Sequence, residues 1–295
     1  MEWYVFAFLA PAFWAMNNVF IKFLITNKFR SCFPTIFLIA LMDAIFALTI
    51  LTVTPISVNF PHSIVAFVVG LMPLIAFWFY WKALNLEEVT RIITLYQLIP
   101  VFTVFLSTIF LNEVLGIQRY FGIALIVIAA VLISYKKSSK KSFSRAIKFM
   151  IPFGIITAMY TVSDKFLLNY LDFWSLFFWN VLGTFCGVAF LLSSLRLRKE
   201  LAKTVSAIGK RALFITFAGE GLYVSGTICS LVALSMANAS LVSAVFGLQP
   251  LYGFLYTLFL SLFLPQLLKE EISKPILSLK ISAIALTIIG IWIVL

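Results

Sequence analysis

Ten apolar runs, each long enough to cross a lipid bilayer, follow one another along this chain. They lie at 3–25, 33–54, 63–84, 92–112, 119–135, 147–169, 173–195, 212–234, 240–264 and 276–295. A helix needs about 20 mostly apolar residues to span the hydrocarbon. Lipid offers backbone amides no partner, so such runs fold as helices that satisfy their own hydrogen bonds. The expected fold is therefore an all-α integral membrane protein with ten transmembrane helices. The first run does not read as a signal peptide: it is long, no basic region precedes it, and basic residues follow it.

Composition points the same way. Hydrophobic residues make up 63% of the chain and charged residues 11%, against about half and a quarter in soluble domains. So few charges could not cover so much apolar surface in water. The net charge of +11 would suit a nucleic acid, but the basic residues cluster between the apolar runs, so the lipid bilayer is the expected partner and no nucleic acid is. Cys32, Cys186 and Cys229 are odd in number and lie in or beside apolar segments. That suggests buried packing rather than a disulfide framework or a metal site.

The chain is also written twice. Ala83-Leu84 matches Ala233-Leu234, and Leu98-Ile99-Pro100-Val101 matches Leu248-Gln249-Pro250-Leu251. Further forward, Ala15-Met16 and Lys22-Phe23-Leu24 match Ala158-Met159 and Lys165-Phe166-Leu167. The boundaries that follow are a first repeat at 1–138, a basic linker at 139–146 and a second repeat at 147–295. Each copy holds five runs. With an odd number, the second copy must enter the membrane upside down, a common plan for secondary transporters. Of the 22 Lys and Arg, all but Arg119 and Lys165 fall in or beside the turns 1–2, 3–4, 5–6, 7–8 and 9–10. Cytoplasmic loops collect such residues, so these turns are expected in the cytoplasm and both termini outside. The linker and its flanks (KKSSKKSFSRAIK) read as an anchor at the lipid headgroups.

In this arrangement the sequence resembles the drug/metabolite transporter superfamily, in particular its EamA-like family. The residues that carry the resemblance are Ala83-Leu84, Leu98-Ile99-Pro100-Val101-Phe102, Leu111-Asn112-Glu113-Val114-Leu115 and Gly122. They match a small-residue helix end, a Pro-Val-Phe kink, a Gly-Glu-Arg-like turn and a glycine one turn into the next helix. Asn112 stands where Gly is usual and Val114 where Arg is usual; in the second copy Glu270-Glu271 follow an insertion and Ser282 replaces the glycine. The resemblance implies export of small metabolites such as amino acids. It also implies cytoplasmic termini, opposite to the charge-based expectation.

Several chemistries find no residues to carry them. There is no phosphate-binding P-loop for direct use of ATP and no His-Glu-x-x-His pair for a zinc protease. No cofactor or metal is expected, and no enzyme. The single histidine, His62, sits in a short turn and reads as structural. The sequon Asn238-Ala239-Ser240 lies too close to the membrane to be glycosylated. Gly183 and Gly187 are spaced for close helix approach, read here as packing within a monomer.

What remains are polar residues at membrane depth. A charged side chain at the bilayer centre costs about 2.5–3.5 kcal/mol on insertion scales, so it normally faces the interior of a bundle. Asp43 and Glu220 are such residues, at comparable depth in runs two and eight, each with a coupling or a structural role open to it. Glu220, Tyr223, Thr227 and Ser230 share one helix face, whose counterpart in the first copy is Gly70, Pro73, Phe77 and Tyr80. Run six offers Thr157, Tyr160 and Asp164, and run one offers Trp14, Asn17 and Asn18. Tyr96 and Gln97 precede Pro100, and Gln249 and Tyr252 flank Pro250. Both prolines read as helix kinks.

The substrate-binding candidates are therefore Trp14, Asn17, Asn18, Phe77, Tyr80, Tyr96, Gln97, Tyr160, Glu220, Tyr223, Thr227, Gln249 and Tyr252. They would line a central cavity in a secondary transporter or facilitator working by alternating access. With no Lys or Arg deep in any run, phosphate-bearing substrates are disfavoured. Carboxylates and aromatics suit an ammonium group, as in amino acids or other amine-bearing compounds. Protons are a candidate coupling partner. The alternative is a flippase for lipid-linked substrates or a membrane scaffold that transports nothing.

Overall fold

The structure is a computed structural model. It describes residues 2–27, 32–52, 54–86, 95–96, 98–134, 146–263 and 274–294. All regular structure among these residues is helical. The first half contains α1 (Trp3–Asn27), α2 (Cys32–Ile50), α3 (His62–Val69), α4 (Met72–Leu84), α5 (Leu98–Phe110) and α6 (Ile117–Ser134). The second contains α7 (Ile147–Leu167), α8 (Phe173–Leu191), α9 (Leu195–Ala207), α10 (Lys210–Met236), α11 (Ala239–Phe246), α12 (Gln249–Phe263) and α13 (Lys274–Val294). Gln97, Glu270, Glu271 and linker residues 139–145 lie outside the described residues.

Five helical stretches are long and apolar enough to cross a membrane: Cys32–Ile50, His62–Ala83, Phe173–Leu191, Ala212–Met236 and Ala239–Tyr256. Leu98–Phe110, Ile117–Ala129 and Ile281–Val294 are equally apolar but shorter. Large apolar side chains stand outward from the bundle, among them Trp292, Ile117, Phe190 and Phe214, each more than 70% exposed. In water such a surface would drive association; against lipid it is the solvated face. Cys186 is exposed on this outer face of α8, not buried as expected for a free cysteine. In lipid the exposed face carries no penalty for an apolar thiol, so apolar character does not imply burial.

Two expected single helices are divided. The third run breaks at Gly70–Leu71 into α3 and α4, and the ninth breaks at Gly247–Leu248 into α11 and α12. The prolines were expected as kinks within helices. Instead, Pro100 lies in the first turn of α5 and Pro250 is the second residue of α12. In a first turn a missing backbone N–H costs no helical hydrogen bond, which is why proline is tolerated there. One helix was not anticipated: α9 carries Arg196, Arg198, Lys199 and Lys203 exposed, while Leu197 and Leu201 pack against Phe33, Ala40 and Val188.

The helices pair in a pattern. α1 lies along α10, and α7 lies along α4 and touches α3. α1 also meets α11 and α12, and α7 meets α5. α2 packs on α8 and α10, and α8 packs on α2, α3 and α4. α5 meets α11, and α6 lies along α13. Exchanging the two halves turns each of these pairings into another that is also present.

Small residues set the closeness of several crossings. A Cβ on Gly183 would stand 1.9 Å from the Phe67 carbonyl oxygen, and one on Gly70 would stand 2.1 Å from that of Asn180. Gly183 is thus used for packing within the chain. Gly122 and Gly290 meet each other's carbonyl oxygens at 2.9 Å from their notional Cβ positions. The glycine that packs against Gly122 is therefore Gly290.

One end of the bundle gathers both ends of the chain. Trp3, Phe6 and Ala7 pack there with Leu115, Ala239 and Val294. Glu113, buried in the turn before α6, closes the start of α11. Its Oε1 accepts from the Ala239 amide at 2.9 Å, and its Oε2 accepts from the Ser240 amide at 3.1 Å and the Ser240 hydroxyl at 2.9 Å. Lys165 donates to the Leu234 carbonyl at 2.7 Å, near the last turn of α10. Ser240 is fully buried in this arrangement, while Asn238 is half-buried at its edge. At the same end His62 stacks on Tyr170, with ring centroids 3.8 Å apart.

Candidate substrate-binding site

Asp43 lies on α2 and Glu220 on α10, and the two helices are in contact. Phe46, one turn beyond Asp43, stacks on Phe217, one turn before Glu220, with ring centroids 4.9 Å apart. Phe46 also lies over Gly221, 3.3 Å from its notional Cβ. Residues three apart share a helix face, so this packing turns both carboxyls toward the α2–α10 seam. Asp43 is 9% exposed and Glu220 2%. Each acts electrostatically on the other's surroundings, and Asp43 Oδ1 is buried with no hydrogen-bond partner.

A third carboxyl joins them. Asp164, 1% exposed on α7, accepts from Asn180 Nδ2 at 2.8 Å, and the same nitrogen donates to the Tyr160 hydroxyl at 3.1 Å. The Tyr160 hydroxyl also bonds to Asp164. Asn180 Oδ1 is left without a partner. Tyr223 stands between the groups: Asp43, Glu220 and Asp164 all act on its hydroxyl, which bonds to Thr227. Tyr223 keeps 37% of its surface accessible although it lies deep in the bundle.

α1 closes the far side of α10. Asn17 Oδ1 lies 2.8 Å from a notional Cβ on Gly219, and Trp14 lies 2.7 Å from one on Gly226. Asn17 is 3% exposed. Neither its Oδ1 nor Trp14 Nε1 has a partner. Toward the basic turns, Tyr80 of α4, Tyr96 before α5 and Phe153 of α7 form an aromatic cluster with ring centroids 5.1–5.7 Å apart. The Tyr80 and Tyr96 hydroxyls are hydrogen-bonded, and Tyr96 is within electrostatic reach of Tyr223. Phe77 joins this cluster through Tyr80, at 6.2 Å.

The structure thus gathers Tyr80, Tyr96, Tyr160, Glu220, Tyr223 and Thr227 with Asp43, and sets Trp14 and Asn17 against the same helix. It does not bring in every candidate. Asn18 is exposed, about a quarter of a turn from Asn17. Tyr252 stacks with Tyr256 and packs on the apolar cluster around Val245. Gln249 opens α12 half-buried. No described contact joins these three to the carboxyls, because α12 faces α1. Asn180 was missed. As the lone amide in an apolar run, Phe173–Leu191, it was the one available signal.

Together these features describe a multi-pass integral membrane protein with polar side chains buried at its centre. The EamA-like transporter family model matches residues 1–135, so the first half of the chain is similar to that family of membrane transporters. A solved structure, titled only as the crystal structure of a protein, is similar with a TM-score of 0.73 at 15% identity, covering 98% of this chain and 94% of that one. That likeness shows a shared fold across both halves. No curated protein matches the chain.

Proposed function

We propose that this protein is a secondary transporter or facilitator that exports small amine-bearing metabolites, amino acids among them, across the cell membrane by alternating access. The observation that carries the reading is the pair Asp43 and Glu220, buried on facing helices beside Tyr223, with no Lys or Arg buried among the described residues. An ammonium group would supply the charge that this pair lacks, and the tyrosine faces would add cation–π attraction. The accessible face of Tyr223 deep in the bundle supports a central cavity. The exchangeable pairing of helices supports two inverted five-helix repeats. The breaks at Gly70–Leu71 and Gly247–Leu248 support this reading, since such transporters build their midplane sites from discontinuous helices.

The test is uptake into liposomes holding the purified protein, with a panel of labelled amino acids and simple amines. Glu220→Gln keeps size and hydrogen bonding but removes charge. It should fold, elute as a single species, and lose at least about tenfold in amine transport, the loss expected when one charged contact disappears. If protons share the site, the pH dependence of residual transport should flatten as well. Amine transport that is no faster than in protein-free liposomes, or that is unchanged in Glu220→Gln, would overturn the reading.

A further inference from the structure

The site is richer in acceptors than one ammonium group requires. Three carboxyls, Asp43, Glu220 and Asp164, are each at least nine-tenths buried, and all three act on the Tyr223 hydroxyl. Asp43 Oδ1 and, beside Asp164, Asn180 Oδ1 are buried acceptors with no partner, and Asn17 Oδ1 on the α1 side of α10 is another. On that same side Trp14 Nε1, against Gly226, is a buried nitrogen donor without a partner. A buried acceptor without a donor is costly, and native structures leave few of them without a reason. The nearest lysine in sequence, Lys165, is committed to the Leu234 carbonyl. The remaining charged side chains on α7 and α10 whose surroundings are described, Lys148 and Lys210, are exposed at the basic end. On α1, α2 and α8 the described side chains offer no cation to the site.

This balance bears on the substrate. A zwitterionic amino acid would bring its own carboxylate into a chamber that already holds three and has no buried cation to receive a fourth. A bare divalent metal needs its ligands to converge on one point, and no group of three acidic, histidine or cysteine side chains does so among the described residues. The carboxyls are instead distributed. Asp43 and Glu220 face one another across α2 and α10, while Asp164 is held on α7 by Asn180 and Tyr160. Spread negative charge is matched by spread positive charge.

From this distribution we infer that the site takes a linear compound with two separated ammonium groups and no carboxylate. One ammonium would sit between Asp43 and Glu220. The other would lie against Asp164 and the free Asn180 oxygen, with the carbon chain crossing the Tyr223 and Tyr160 rings. This rests on the amine reading proposed above and narrows it to compounds without a carboxylate, which removes the amino acids from it.

Thermal unfolding of the purified full-length protein in detergent, titrated with 1,4-diaminobutane, 1-aminobutane and leucine, is a direct test. A ligand that binds only the folded state raises the midpoint as its concentration passes the dissociation constant. The diamine should bind at least about tenfold more tightly than the monoamine, as a second ion-paired ammonium predicts. Leucine should produce no saturable shift. In Asp164→Asn, which keeps the side chain's shape, the ratio of diamine to monoamine affinity should fall toward one. Labelled diamine uptake into liposomes should follow the same order.

Equal affinity for diamine and monoamine would overturn this inference and leave the amine reading standing. So would a leucine affinity matching the diamine's. A ratio that survives in Asp164→Asn would remove Asp164 from the site and overturn the assignment. Saturable binding of magnesium ions that displaces the diamine would replace it with a metal site. No binding or transport of any amine would sink both readings together.

Discussion

Asp172 caps α8 and ties two turns together. Its Oδ1 accepts from the Trp174 and Ser175 amides at 3.0 Å each, and its Oδ2 accepts from the Ser175 hydroxyl at 2.6 Å and the Ser57 hydroxyl at 3.3 Å. Partial burial acts to raise this carboxyl, but the hydrogen bonds from Ser175, Trp174 and Ser57 outweigh it and hold it below its ordinary value. A group lowered in the folded state stabilises the fold above its unfolded value and loses that contribution as pH falls through the folded one. Asp172→Ala should therefore cost about 0.5–2 kcal/mol near neutral pH, the usual worth of an N-cap. The gap between the two proteins' thermal midpoints should close on acidification. A gap that is constant with pH would mean that the carboxylate's charge contributes nothing. Asp172 could have been found in the sequence, since an Asp before an apolar run is the standard cap. Asn112 could also be read: its φ of 53° is a left-handed conformation, which Asn tolerates better than most residues and Gly best. That explains why Asn can stand where the family has Gly. Asn180 stood out only as a lone amide in an apolar run, and its role could not be read, because that comes from Tyr160 and Asp164, which only the fold brings to it.

At the scale of elements, helix existence was legible and helix continuity was not. A run of 20 apolar residues looks alike whether it is one helix or two, since the break at Gly247–Leu248 interrupts the helix without changing polarity. The amphipathic α9 was hidden differently: its basic residues were read as a charged loop, while its apolar residues recur at helical spacing. Two predictions belong here. Gly183→Ala places a methyl group 1.9 Å from the Phe67 carbonyl oxygen, where backbone and not a flexible side chain would have to yield. It should destabilise the protein by at least about 1–3 kcal/mol, the range for overpacked cores, seen as a lower thermal midpoint and poorer yield. An unchanged midpoint would show that the α3–α8 crossing is looser than described. Pro100→Ala restores a backbone N–H at the start of α5. If that start moves during the transport cycle, transport should slow by more than expression falls. Equal losses would make the proline structural only.

Over the whole molecule, the charge pattern and the packing agree on which turns share an end. Turn 112–116, turn 237–238 and both chain ends meet in one apolar cluster. The exposed Lys82, Lys148, Arg196, Arg198, Lys199 and Lys203 lie toward the other. If the basic end faces the cytoplasm, a cysteine placed at Ser139 should resist a membrane-impermeant maleimide in intact cells and react after lysis. Ready labelling in intact cells would reverse the orientation and match the cytoplasmic termini that the family resemblance implies. Bundle class and the grouping of turns at one end were readable because both are written in composition and charge, which survive without coordinates. The site was readable only in part: Glu220 and Tyr223 share a helix face in any α-helix, whereas the meeting of Asp43 with α10 depends on how two distant segments dock.

Glu113 gives the assembly a direction in time. It belongs to the first half, yet the amides it receives open α11 in the second. Synthesis runs from the N-terminus, so the acceptor is made 126 residues before the first donor it will hold. The first half therefore enters the membrane with a carboxylate waiting for a partner, and the second half arrives to a prepared mooring. A second half made alone would bring the start of α11 to the membrane with those amides unmet, just as the first half alone holds an acceptor without donors. Expressed as separate chains, each half should be cleared faster alone than when both are made together, and Glu113→Ala should weaken that mutual rescue.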